Sequence, residues 1–355
     1  MVLLSAALTF PASPALASGG GFLGGLDDIK TVASTVPANG DVNPYGVAVA
    51  PTTVGHLHRG DVLVSNFNNS TNAQGTGTTI VEITPGGRRS VFATVHESQV
   101  PGGVGLTTAL IALRSGWVIV GNLPTTDGTS ATATAGSLLV IDPWGHLREV
   151  WKGHGINGPW DATAADFGDQ AVLFVTNVLN GTVAHSPATV FRGTVLRLRI
   201  ALTGSMPRIE STRVIGSGFP ERTDPAALAV GPTGVALGSD GTLYVADTVR
   251  SRLAAIPYAL TRVTSAGDGA TVRSGGPLNG PLGLVAVPGG DLVSVNAGDG
   301  RAVEVSPDGR LIAVRWLDKS GSPPGAGALF GLAVAPRGHT LYFVDDATNT
   351  LQLLH

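Results

Sequence analysis

The chain has 355 residues, 50 of them glycine and 23 proline, and no stretch free of both exceeds 17 residues. Such dense punctuation excludes a long-helical fold and favours short strands joined by turns, while 43 % hydrophobic residues exclude disorder. A net charge of −3 without like-charge runs excludes nucleic acid and anionic membranes as expected partners, and the absence of cysteine excludes disulfides and thiolate chemistry.

In chain order, residues 1–17 read as a secretory signal. MVLLSAALTF is an apolar stretch of about ten residues, too short to span a bilayer. Ala15-Leu16-Ala17 supplies the small-x-small cleavage pattern. Cleavage near Ala17 predicts a secreted or periplasmic protein. Residues 18–27 then read as a Gly-rich linker, and residues 28–355 as one domain.

Within that domain one phrase recurs six times. A turn leads into a small-apolar strand, then a Gly turn, then an apolar strand closed by Asn or Asp. The copies end at Asn66, Asn122, Asn177, Asp247, Asn296 and Asp345. Aligned first-strand positions are Gly46, Gly105, Asp161, Gly234, Gly283 and Gly331, spaced by 59, 56, 73, 49 and 48 residues. Each copy is followed by a third strand, a polar turn and a fourth strand. Four strands per period predict an all-β fold, a six-bladed β-propeller of four-stranded antiparallel blades. Only 24 residues follow Gly331. The missing strand of the last blade is therefore assigned to residues 29–36, closing the ring and removing an open edge. The 73-residue spacing predicts a loop insertion in blade 3.

The fourth copy, PTGVALGSDGTLYVADT, resembles the NHL repeat, and the six-blade count resembles the wider gluconolactonase and senescence-marker superfamily. The resemblance covers residues 28–355. It implies the fold, and a functional range from lactonases, lyases and esterases to pure interaction modules. The metal-dependent members place a Glu ahead of the first blade's inner strand and Asn-Gly or Asp-Gly pairs in later blades. The corresponding segments here read NPYG, GGVG, GPWD, PTGV, GPLG and LFG, so that ligand set is not carried over.

Strand direction puts the segments leading into first strands, and the links between second and third strands, on one face, called the top. The closing side chains Asn66, Asn122, Asn177, Asp247, Asn296 and Asp345 are expected near the top of the channel. Six oxygen-bearing groups suit Ca²⁺ or another divalent cation; Asn and Asp at strand ends equally serve as turn caps. Asn122, Asp247, Asn296 and Asp345 are the candidate metal ligands. Long polar links in blades 1 to 3 predict a ligand surface on that side of the top. Its candidate residues are Tyr45, Asn66, His154, Trp160, Asp161, Asn177 and Phe330. Of the other histidines, His96 and His185 join His154 on the top, and His56, His58 and His339 fall in bottom turns. The leading expectation is a monomeric binding or interaction propeller for a small polar ligand or a protein. The alternative is a metal-dependent hydrolase or lyase acting on a small polar substrate at the channel mouth.

Overall fold

The computed structural model describes residues 20–355; the expected secretory signal and its cleavage point lie outside them. Six antiparallel sheets follow one another around an axis. Blade 1 comprises Val42–Val49, Val62–Asn68, Thr79–Ile83 and Arg89–Thr94. Blade 2 comprises Leu106–Ala112, Val118–Asn122, Ser137–Ile141 and Leu147–Trp151. Blade 4 is Pro232–Leu237, Leu243–Asp247, Arg252–Ile256 and Ala270–Ser274. Blade 5 is Pro281–Ala286, Leu292–Asn296, Arg301–Val305 and Leu311–Trp316.

Blade 6 closes the ring as expected. Leu329–Val334, Leu341–Asp345 and Thr350–Leu354 are completed by Ile29–Ser34 as the outer strand. The Gly-rich stretch ahead of that strand, expected as a linker, is docked in its described part. Leu23 is fully buried against blades 5 and 6. Its backbone N–H and that of Phe22 donate to the two Glu304 carboxylate oxygens, at 2.8 and 2.6 Å. A buried carboxylate that accepts two backbone donors pins the segment.

Blade 3 departs from its sequence expectation. Its inner strands are Pro159–Asp166 and Gln170–Asn177. The extra residues go mostly into strand rather than loop: the third and fourth strands run Val190–Ala201 and Arg208–Asp224, and Leu228–Val230 adds a short fifth. A ladder this long continues above the rim of its neighbours, and the segment after it turns inward.

Second strands are buried on both faces because each sheet is sandwiched between two others. In blade 1, Val62 and Val64 face blade 6 while Leu63 faces blade 2. This is the period-2 alternation of a strand with two apolar sides. Five apolar clusters fill five of the blade interfaces. The sixth, between blades 6 and 1, continues upward into the axis. Inner strands pack closely enough that glycine is required where they touch. A Cβ on Gly234, Gly283 or Gly331 would stand 2.1–2.2 Å from the carbonyl oxygen of Leu282, Phe330 or Tyr45 in the next blade. The phrase alignment needs one correction. Leu106 pairs with Asn122, as Pro159 pairs with Asn177 in blade 3, so the blade 2 residue two steps on is Thr108, not Gly105.

Candidate functional site

The side chains that close the second strands stitch their own blades. Asn122 Oδ1 accepts the Gly105 N–H at 2.7 Å, and its Nδ2 donates to the Gly103 carbonyl and to Ser137. Asn177 Oδ1 accepts the Asn157 N–H at 2.7 Å, and Asn296 Oδ1 accepts that of Asn279 at 3.1 Å. Asn66 Nδ2 donates to the Thr35 carbonyl and to Thr79. Asp345 accepts the Thr348 N–H. Asp247, fully buried, takes Arg252 Nε at 2.8 Å and the Arg250 N–H at 3.3 Å. Burial holds its carboxyl above the usual range in spite of Arg252. Each of the six thus spends its oxygen or amide on a turn or an adjoining segment, the capping role such residues play at strand ends.

The aromatic side chains expected around an open mouth are instead packed across the axis. Tyr45 stacks on Phe330 at 4.0 Å and on Phe67 at 4.4 Å, with Trp160 at 6.2 Å. Tyr45, Trp160 and Phe330 are each at most 2 % exposed. Above them lies the segment that follows the long strand of blade 3. Trp160 Nε1 donates to the Ala229 carbonyl at 3.1 Å. Gln74 of blade 1 donates to the Pro225 carbonyl, and Ser130 of blade 2 to that of Leu228. The long links of blades 1 to 3 therefore cover an apolar plug. The Tyr45 hydroxyl lies against Asn43, and neither Tyr45 Oη nor Asn43 Oδ1 completes a hydrogen bond. Burial, then the charge of Asp346, holds this phenol well above its usual range.

The open part of the top lies over blades 4 to 6. There the links are short: Thr248 to Ser251 makes a tight turn with Ser251 at φ 48°, and Ser251 Oγ accepts the Gly280 N–H at 3.0 Å. Between these short links and the end of the long blade 3 strand, a cavity of about 470 Å³ remains. Its apolar lining includes Val230, Leu282 and Phe330 beside Val249 and several alanines, and Thr248, Ser251 and Asn279 are its uncharged polar lining. Arg222 and Asp224 close one side as an ion pair at 3.1 Å. Of the residues picked from sequence, Phe330 alone lines this cavity. Arg222 and Asp224 carried no motif; the only sequence signal was the excess length of blade 3. Nearby on blade 6, burial and then the charge of Asp345 push the Asp346 carboxyl up to about 7.

Below the plug runs a central channel of about 360 Å³, lined by the inner strands of all six blades. Asp161 stands at its upper end. Its Oδ2 accepts the Val235 N–H of blade 4 at 3.1 Å and its Oδ1 the Ala162 N–H at 2.8 Å. Burial nonetheless pushes the carboxyl up to about 7. The lining around it is otherwise mostly Ala, Val and Leu. The top-face histidines are dispersed: His154 is exposed in a turn at φ 53°, and His185 Nδ1 bonds the Gly181 carbonyl. Among the described residues, one group of three His and carboxylate side chains gathers its ligand atoms within 4.8 Å, and it lies on the bottom: His58, Asp61 and Glu82.

Residues 230–256 match the family model of the NHL repeat. No curated protein sequence matches the chain. Solved structures share its fold at low identity. A gluconolactonase from Xanthomonas campestris aligns at 16 % identity and TM-score 0.56, over 93 % of this chain and 90 % of its own. Regucalcin, a calcium-binding protein from Agrobacterium tumefaciens, aligns at 15 % and 0.54, over 90 % and 92 %. Virginiamycin B lyase from Staphylococcus aureus, an inactive variant with quinupristin, aligns at 16 % and 0.51, over 92 % and 85 %. The chain is thus a six-bladed propeller that carries an NHL repeat.

Proposed function

We propose that this chain is an exported propeller that binds a small polyhydroxylated ligand, a sugar or a sugar lactone, in the top cavity over blades 4 to 6. The observation that carries the reading is the composition of that cavity: an apolar floor beside a charged pair and a set of hydroxyl and amide groups. A sugar presents the same division, with C–H faces for Leu282 and Phe330 and hydroxyl groups for Arg222, Asp224 and Asn279. The volume falls in the ordinary range for small-molecule pockets. Export rests on the apolar N-terminal stretch and its Ala-x-Ala site. Calorimetric titration with glucose, gluconate and glucono-1,5-lactone tests the reading. Arg222→Ala is expected to weaken the bound member about tenfold or more, since it leaves Asp224 unpaired and removes planar donors. Affinity that is indifferent to Arg222→Ala and Asn279→Ala would remove the cavity from consideration.

A second reading, a hydrolase or lyase, rests on Asp161. A carboxyl near 7 in a channel lined mostly by Ala, Val and Leu is poised to exchange protons at neutral pH. Turnover of a lactone or ester that Asp161→Asn abolishes, with melting unchanged, would favour it over binding alone.

A further inference from the structure

On the bottom face of blade 1, the turn between the first two strands arches over the third. His58 and Asp61 belong to that turn, and Glu82 to the strand beneath. The His58 N–H donates to Glu82 Oε1 at 3.0 Å, which fixes the turn above the carboxylate. His58 Nδ1 then stands 3.7 Å from Glu82 Oε1 and 4.0 Å from Asp61 Oδ2. The two carboxylate side chains are only 6 % and 10 % exposed, whereas the imidazole is 58 % exposed. Among the described residues no donor hydrogen-bonds the Asp61 carboxylate, and Glu82 receives the one backbone N–H. The group faces a groove of about 370 Å³ that His56 and Arg88 also line. No ion pair joins Arg88 to either carboxylate within 4.0 Å among the described residues. Two buried carboxylates side by side, one without any donor, are a costly arrangement unless a cation joins them.

We propose that His58, Asp61 and Glu82 form a divalent cation site of the Zn²⁺ type, bound through one imidazole nitrogen and two carboxylate oxygens. This donor set suits a borderline cation better than a purely oxygen-seeking one. Around an ion with bonds of about 2.0–2.1 Å, tetrahedral ligand atoms lie about 3.3 Å apart. The two His58 separations therefore need to shrink, by about 0.4 Å to Glu82 and about 0.7 Å to Asp61. The exposed His58 ring is free to move toward Asp61 and Glu82, the two buried members of the group. Three protein ligands leave a fourth position facing the groove, where water or a small anion completes the shell.

The site is on the face opposite the top cavity, so its test is independent of the ligand-binding reading. The full chain, stripped with EDTA, is titrated with ZnCl₂ by calorimetry, and Co²⁺ is added separately to read its visible absorption. One ion per chain is expected, with tetrahedral Co²⁺ bands. Asp61→Asn and Glu82→Gln should each weaken binding by more than about tenfold. Both variants should melt no lower than the metal-free parent, because each removes like-charge repulsion. If Glu82→Gln does not fold, Asp61→Asn decides alone, since its side chain accepts no hydrogen bond. His339→Ala, an exposed bottom-face histidine in blade 6, should leave the affinity unchanged. Zinc affinity and Co²⁺ spectrum unmoved by Asp61→Asn, or lost with His339→Ala, would overturn the proposal.

Discussion

Ile29 and Leu354 are register partners in blade 6, so the first strand of the described chain and the last are hydrogen-bonded neighbours. The pairing continues through Lys30–Leu353 and Thr31–Gln352, and beyond it the Asp27 and Asp28 N–H groups donate to the His355 carbonyl. Removing residues 29–34 deletes the outer strand and leaves Thr350–Leu354 as an open edge. A loss of this size is comparable to the whole stability of an ordinary domain, about 5–15 kcal/mol. The deletion variant should melt far lower or fail to fold. An unchanged melting temperature would show that the ring does not depend on this strand.

The N-terminal anchor makes a narrower prediction. Glu304→Ala removes the acceptor of two backbone donors above the buried Leu23. A cost of about 1–3 kcal/mol is expected from groups left without partners. Hydrogen exchange should accelerate at residues 22–26 while blade 2 stays protected. Uniform acceleration across all blades would assign Glu304 a global role instead.

Inner-strand contacts are tested by adding one methyl group. Gly283→Ala places a Cβ 2.1 Å from the Phe330 carbonyl oxygen, a rigid neighbour. Relief requires two blades to part, at about 2 kcal/mol or more. Gly24→Ala, with no atom within 4 Å of its Cβ, is the control and should be neutral. Equal melting temperatures for the two variants would contradict the packing described here.

Blade number, blade order and closure were legible in the sequence because they are local and repeated. The phrase ending at Asp247 or Asn296 encodes a strand pair wherever it occurs, and the shortage of residues after Gly331 pointed to the N-terminus. The top was not legible in the same way. Trp160 and Tyr45 are buried by Leu228 and Ala229, which arrive from a different part of the chain. Nothing in the blade 3 spacing says that its extra residues lengthen two strands and then cross the axis. The misplacement of Gly105 has a similar origin: a longer bulge between Leu106 and Leu110 shifts the register, and a bulge has no residue signature of its own.

Stability should depend on pH in a defined direction. Burial pushes the carboxyls of Asp161, Glu221 and Asp346 up to about 7, against about 4 in an unfolded chain. Between those values the folded state holds more protons, so stability is fully present below about 4 and is lost as the pH rises through about 7. The protein should melt at a higher temperature near pH 5.5 than near pH 8, by about a few degrees. Asp346→Asn should reduce that difference. A melting temperature that climbs over the same interval would reverse the assignment.

The position of the working surface is tested most directly by crystallography. Crystals soaked with glucose, gluconate and glucono-1,5-lactone should show the bound molecule over blades 4 to 6, with its ring against Leu282 and Phe330 and its hydroxyl groups on Arg222, Asp224 and Asn279. Density in the central channel beside Asp161, or over the long links of blades 1 to 3, would contradict the account.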